Sequence, residues 1–147
     1  MTFELGTDGP RVIVAGVDGS DTSMRAGAYA WGLARRNDSR LILVHVSPVS
    51  SISTLTPGGA TALLEAADEI AREIRDELQQ AIERGPAVRH ELVQERGDAA
   101  TVLARIADDN RADMVIVGAS MQAGHRLIGS VAVRLVRAGR WPVTVVP

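Results

Sequence analysis

Apolar residues fall along this chain in two kinds of run. The short unbroken ones, RVIVAGV over 11–17, LILVHV over 41–46 and MVIV over 114–117, are rich in β-branched residues. Such runs are too short for helices and fit strands buried on both faces, as in a parallel sheet. Between them the apolar positions step by three or four. Ala26, Ala30, Leu33 and Ala34 share one face of a helix predicted over 21–36, and their small size lets it lie close to a sheet. Leu63, Ala67, Ile70, Ile74, Leu78 and Ala81 trace the clearest helix, over 60–84, which Gly85 and Pro86 end. Asp98 reads as the cap of a third, with Ala99, Val102, Leu103, Ile106 and Ala107 inward and its end near Asn110. Val131, Leu135 and Ala138 mark a fourth, between Ser130 as its N-cap and Gly139 as its stop. Residues 88–94 alternate apolar and polar as an edge or half-exposed strand does, and Trp141-Pro142 opens a last strand, Val143 to Val146.

Five strands alternating with four helices predict a three-layer α/β fold, an open and mostly parallel sheet covered on both faces. Ligands of such sheets bind beyond the carboxyl ends of the strands, where the winding reverses. If the first and fourth strands are neighbours there, Asp18 and Gly118 face one crevice. The stretch 113–139 is then the organising one: a strand, a glycine-bearing loop over 119–128, and a helix start at Gly129 and Ser130. Unpaired N–H groups and a partial positive charge at a helix start suit an anion such as phosphate. Residues 1–10 read as a short tail, with acidic Glu4 and Asp8 and no apolar core of signal-peptide length, ahead of a single domain over 11–147. The uncharged 49–59, VSSISTLTPGG, reads as a flexible loop.

Composition removes whole classes of function. With 147 residues, 46% of them hydrophobic and 23% charged, the chain suits one soluble, cytoplasmic domain and has no apolar run of membrane-spanning length. Cysteine is absent, which excludes disulfides, thiolate metal sites and cysteine nucleophiles. Lysine is absent too: all 16 basic residues are arginines, so neither a Walker-type lysine nor Schiff-base chemistry is available. A net charge of −2, scattered arginines, one Phe and one Tyr leave no footprint for nucleic acid.

The remaining candidates each carry a plain reading beside the functional one. Asp18 is either a ribose or metal ligand or a turn residue before Gly19. Gly118 and Gly129 either frame an anion site or simply permit tight backbone geometry. Ser130 serves as helix cap, phosphate ligand or both. Arg126, ahead of His125, supplies positive charge to a phosphate or is solvated on the surface. His45 fits a hydrogen-bonded core or rim residue, His90 an exposed strand, and three histidines so dispersed make no metal site. No Gly-x-Ser-x-Gly elbow or HExxH motif marks an enzyme.

The segments VAGVDGSDTSMRA, LVHV, ADMVIVGAS and GSVAVRLVRAGRWPVTVV, in that order and at that spacing, resemble the universal stress proteins over nearly the whole chain. The resemblance implies a flavodoxin-like or Rossmann-like sandwich of strand order 3-2-1-4-5. It also implies a homodimer joined through the last strand, Val143, Thr144, Val145 and Val146. The family has ATP-binding and non-binding branches, and the binding one cradles phosphates with glycine, two residues, glycine, nine residues, then glycine and Ser or Thr. Gly118 matches the first glycine, and Gly129 with Ser130 the closing pair. Met121 stands at the second, and the loop is two residues shorter, with Gly124 as the nearest substitute. By resemblance Asp18 lies near the ribose, phosphates and any Mg²⁺, and the Val46 backbone near adenine. Gly16, Val17, Val117, Val131 and Arg126 complete the expected set. The expectation is a stress-response protein that binds ATP, AMP or cyclic AMP as a signal, without catalysis. Its alternatives are a dimeric interaction module with unnamed protein partners and a slow nucleotide hydrolase with Asp18 as its only acid.

Overall fold

The computed structural model describes residues 9–49, 56–122 and 125–147. Strand β1 (Val12–Gly16) leads to α1 (Asp21–Asn37), β2 (Arg40–Ser47), α2 (Gly59–Arg84), β3 (His90–Arg96) and α3 (Ala99–Asp109). Then follow β4 (Met114–Gly118), β5 (Ser120–Gln122), β6 (His125–Leu127), α4 (Ser130–Ala138) and β7 (Val143–Val146). Five strands form one parallel sheet in the order β3-β2-β1-β4-β7, the expected 3-2-1-4-5 once the short β5 and β6 are set aside.

Alternation within the strands divides the core into two layers. Ile13, Ala15, Leu41, Leu43 and Ile116 face α1 and α2, where Ala26, Ala30, Ala34 and Ile74 close over them. Their neighbours Val14, Ile42, Val44, Val115 and Val117 face α3 and α4. Apolar residues on both faces explain why the central strands read as unbroken runs, whereas β3, at the sheet edge, is half exposed and alternates.

Three local expectations are corrected. Residues 119–128 are not a plain loop: β5 and β6 pair antiparallel, Ser120 with Leu127, Met121 with Arg126 and Gln122 with His125. Gly124, the one glycine of that stretch, reads as loop punctuation, yet two three-residue segments suffice for a ladder when their backbone groups come into register. Ser130 is the first residue of α4 and not its cap, because Gly129 holds the extended cap conformation, φ −72° and ψ 166°. His90 is half-buried: Nδ1 lies 2.7 Å from Val88 O, and its ring centroid stands 4.9 Å from that of Trp31. Residues 1–8 of the expected tail 1–10 and residues 50–55 of the loop over 49–59 lie outside the described residues.

Candidate functional site

Winding reverses between β1 and β4, and there the carboxyl ends of the strands open into a crevice of about 300 Å³. Val17 N donates to Val44 O at 2.9 Å and Ala119 N to Val146 O at 2.8 Å, so the strand ends stay in register at its edge. Val44, Val46 and Val117 make an apolar floor, with Gly16 and Val17 beside them and Leu103 of α3 above it. Asp18, Ser20, Thr22 and Ser23 form one wall, and Gly118, Ser120 and Gly129 to Ala132 the other.

Both walls contain a helix start. Ser20 caps α1, its Oγ accepting from Ser23 N at 3.3 Å. In α4 the cap residue has no side chain, and the first amide with a helical acceptor is Val133 N, 3.1 Å from Gly129 O. The amides of Ser130, Val131 and Ala132 precede it, where an α-helix has no acceptor of its own to offer, and all three residues line the crevice. Arg134 ties this helix to the start of α3, donating to Asp98 Oδ1 at 2.7 Å and Thr101 Oγ1 at 3.2 Å. Asp98 in turn caps α3 through Thr101 N at 2.9 Å.

Asp18 is both a turn residue and a crevice residue. Its Oδ1 accepts from Ser20 N at 2.9 Å, and its own N donates to Ser23 Oγ at 2.9 Å. Burial opposes the Asp18 charge, but the hydroxyls of Ser20 and Ser23, the Ser20 amide and nearby His45 outweigh it and hold the carboxyl below its ordinary 3.8. His45, 4% exposed, continues the alternation of Leu41 and Leu43 along β2, the face turned away from the crevice floor. Burial lowers it below 6.5 against the opposing pull of Asp18. Asp98 is held well below 3.8 by the Arg134 guanidinium first and then by Thr101.

These directions fix a pH profile. The folded state resists protonating His45, so that contribution is complete above pH 6.5 and is lost as pH falls from there through the depressed value. Asp18 and Asp98 contribute above 3.8 and lose their share below it. Thermal unfolding followed against pH is expected to weaken in two acid steps, with His45→Gln abolishing the upper one. A single step near pH 4 in both proteins would refute the assignment.

The two motif glycines have packing reasons of their own. A Cβ on Gly118 would lie 2.5 Å from Ser23 N and Thr22 C, so the missing side chain admits the start of α1. Thr22 Oγ1 then donates to Ala119 O at 2.6 Å and pins the two segments together. A Cβ on Gly129 would lie 2.9 Å from Ser120 Cβ, the consequence of the hairpin folding back.

The structure thus brings Gly16, Val17, Asp18, Val46, Val117, Gly118, Gly129, Ser130 and Val131 to one crevice. Gly124 lies outside the described residues, and Arg126 is described only by its backbone place in β6. Leu103, Ala99, Thr22 and Ser120 also line the crevice and were not anticipated. Leu103 and Ala99 looked like ordinary inward positions of a helix, and only the layer order shows that this helix roofs the site. Among the described residues no cluster of three His, Asp or Glu groups is placed to hold a metal ion, and Asp18 is the one carboxylate among the residues that line the crevice.

Comparison with known proteins bears on this geometry. The model of the Universal stress protein family matches residues 10–147. A universal stress protein of Methanocaldococcus jannaschii is 29% identical over 138 residues, covering 91% of this chain and 80% of that protein. A solved universal stress protein family structure from Burkholderia pseudomallei is 31% identical, covers 93% of this chain and 96% of its own, and superposes with a TM-score of 0.68. Another, a universal stress protein in complex with cAMP, is 27% identical over 93% of this chain and 96% of its own, with a TM-score of 0.65. UspA from Lactobacillus plantarum, 22% identical over 92% of this chain and 97% of its own, shares the fold with a TM-score of 0.72.

Proposed function

Because the chain belongs to the universal stress protein family, we propose that its crevice binds an adenine nucleotide with a single phosphate, AMP or cyclic AMP, as a stress signal rather than a substrate. The carrying observation is the pair of helix starts facing each other across an apolar floor. Amides 130–132 of α4 and the hydroxyl of Ser20 offer donors to an anion, while Val44, Val46 and Leu103 offer a dry surface to a base. A relative bound to cAMP supports the ligand class. One phosphate is favoured over three because residues 120–122 and 125–127 spend backbone groups on the hairpin ladder, leaving fewer amides for further phosphates.

Calorimetric titration with AMP, cyclic AMP and ATP, each with and without Mg²⁺, tests the reading. AMP and cyclic AMP are expected to bind, ATP no more tightly than AMP, and Mg²⁺ to add nothing to AMP. Silence for all three ligands would remove it. In this reading the protein is no enzyme; nucleotide hydrolysis that Asp18→Ala abolishes would reinstate the slow hydrolase.

A second reading, in which the fold works as a dimeric interaction module, is favoured by the sheet edge. Strand β7 pairs only with β4 among the described strands, its four residues Val143 to Val146 are all half-buried, and α4 beside it leaves Val136 57% exposed. An apolar edge of this kind invites pairing with a second copy. Light scattering is expected to give a dimer that Val145→Lys dissociates; a wild-type monomer at working concentration would overturn it.

A further inference from the structure

Beneath the sheet face opposite the crevice, α1 and α2 border a second cavity of about 220 Å³, half open to solvent. Its origin is a mismatch of size. Gly27 and Ala28 of α1 and Ala81 of α2 all line it, so small residues face each other where two helices meet. A Cβ on Gly27 would lie 3.2 Å from Val17 Cγ1, so this glycine seats α1 on the sheet. Helix α2 sits less deeply, burying only Ala71 and Ile74 among 26 residues. Met24, Trp31 and Leu78 wall the gap that remains. Open to solvent on one side, the gap leaves apolar lining against water, which a ligand of matching shape would displace.

The rim carries two charges from α2, Glu77 and Arg84, both exposed. Arg84 donates to the neutral Gln80 Oε1 at 2.6 Å and makes no ion pair among the described residues, so its guanidinium keeps donors for an incoming anion. Glu77 stands on the same helix face two turns earlier and disfavours a second negative charge there. We propose that this cavity binds a compact aromatic or branched aliphatic monocarboxylate. Its apolar body lies against Trp31 and Leu78, and its carboxylate takes the paired donors of Arg84. Trp31 gives a ring a flat partner, while Glu77 selects a monoanion over a dianion. The site is independent of the nucleotide reading, although Val17 belongs to the walls of both cavities.

Titration with 3-phenylpropanoate, followed by NMR at the indole N–H of Trp31 with Trp141 as internal control, tests the proposal. A saturable shift confined to Trp31 is expected, about tenfold weaker for the neutral 3-phenylpropanamide and for the acid with Arg84→Gln. Ala81→Leu fills the space and is expected to abolish binding while the melting temperature holds or rises. Ala28→Leu does the same from the other helix and stands in should the first variant misfold. No saturable shift in the wild type, binding undiminished in both filled variants, or equal binding of acid and amide would each overturn it.

Discussion

Gly118→Ala is expected to destabilise the protein by about 3 kcal/mol, a penalty of the overpacking kind in which backbone rather than a side chain must yield. The added Cβ would stand 2.5 Å from Ser23 N and from Thr22 C and 2.7 Å from Thr22 O, all main-chain atoms of the start of α1. No rotamer change relieves that contact. Helix α1 has to lift away from β4, and lifting it strains the bond from Thr22 Oγ1 to Ala119 O, whose loss would leave buried polar groups unpaired. For a chain of this size the loss corresponds to a melting point roughly 6–12 °C lower. Gly58→Ala supplies the contrast. Gly58 has φ +77° with nothing within 4 Å of a new Cβ, so only the left-handed backbone resists it, at about 1 kcal/mol. Chemical denaturation of both variants checks the ranking. A Gly118→Ala no less stable than Gly58→Ala would mean that the approach of α1 to β4 is looser than described.

Leu135→Ala is expected to cost about 2–5 kcal/mol and, unlike a substitution elsewhere in the core, to empty the crevice. Helix α4 has nine residues, too few to persist without tertiary support. Ala132 and Leu135, each 1% exposed, are its buried residues, and Ala132 offers a single methyl. Removing the Leu135 side chain therefore takes away the largest buried side chain that α4 contributes to the layer it shares with α3, and loosens residues 130–132 that line the site. Ile106→Val, a smaller deletion in the same layer but on α3, is expected to cost about 1 kcal/mol and to leave ligand binding unchanged. Amide exchange would show the difference locally, with protection lost over α4 in Leu135→Ala before the rest of the sheet. Equal loss throughout the domain would show that α4 unfolds only with the whole.

A common cause underlies both predictions. The crevice is bounded by two helix starts, and each is held by a few contacts made across long sequence separations. The pair Thr22–Ala119 spans 97 residues and the pair Arg134–Asp98 spans 36. Substitutions at these contacts move donors of the site without touching a ligand, so lost binding in such variants reports position rather than direct contact.

The sequence by itself determined the layered α/β class, the five strands of the sheet and the four helices, because burial on both faces leaves unbroken apolar runs while one-sided burial leaves a period of three or four. A helix start was legible where a side chain makes the cap, as Asp98 does. At α4 the cap is Gly129, whose conformation and not its chemistry does the work, and the adjacent serine drew the eye instead. Tertiary structure alone decided why Gly118 and Gly129 have no side chain, since the atoms that would meet one, in Thr22, Ser23 and Ser120, reach them only when the chain folds back. It alone paired β5 with β6, roofed the crevice with Leu103 and left the gap between α1 and α2. Periodicity records which side of an element faces inward, but whether inward-facing residues fill the space between elements depends on how far apart those elements come to rest.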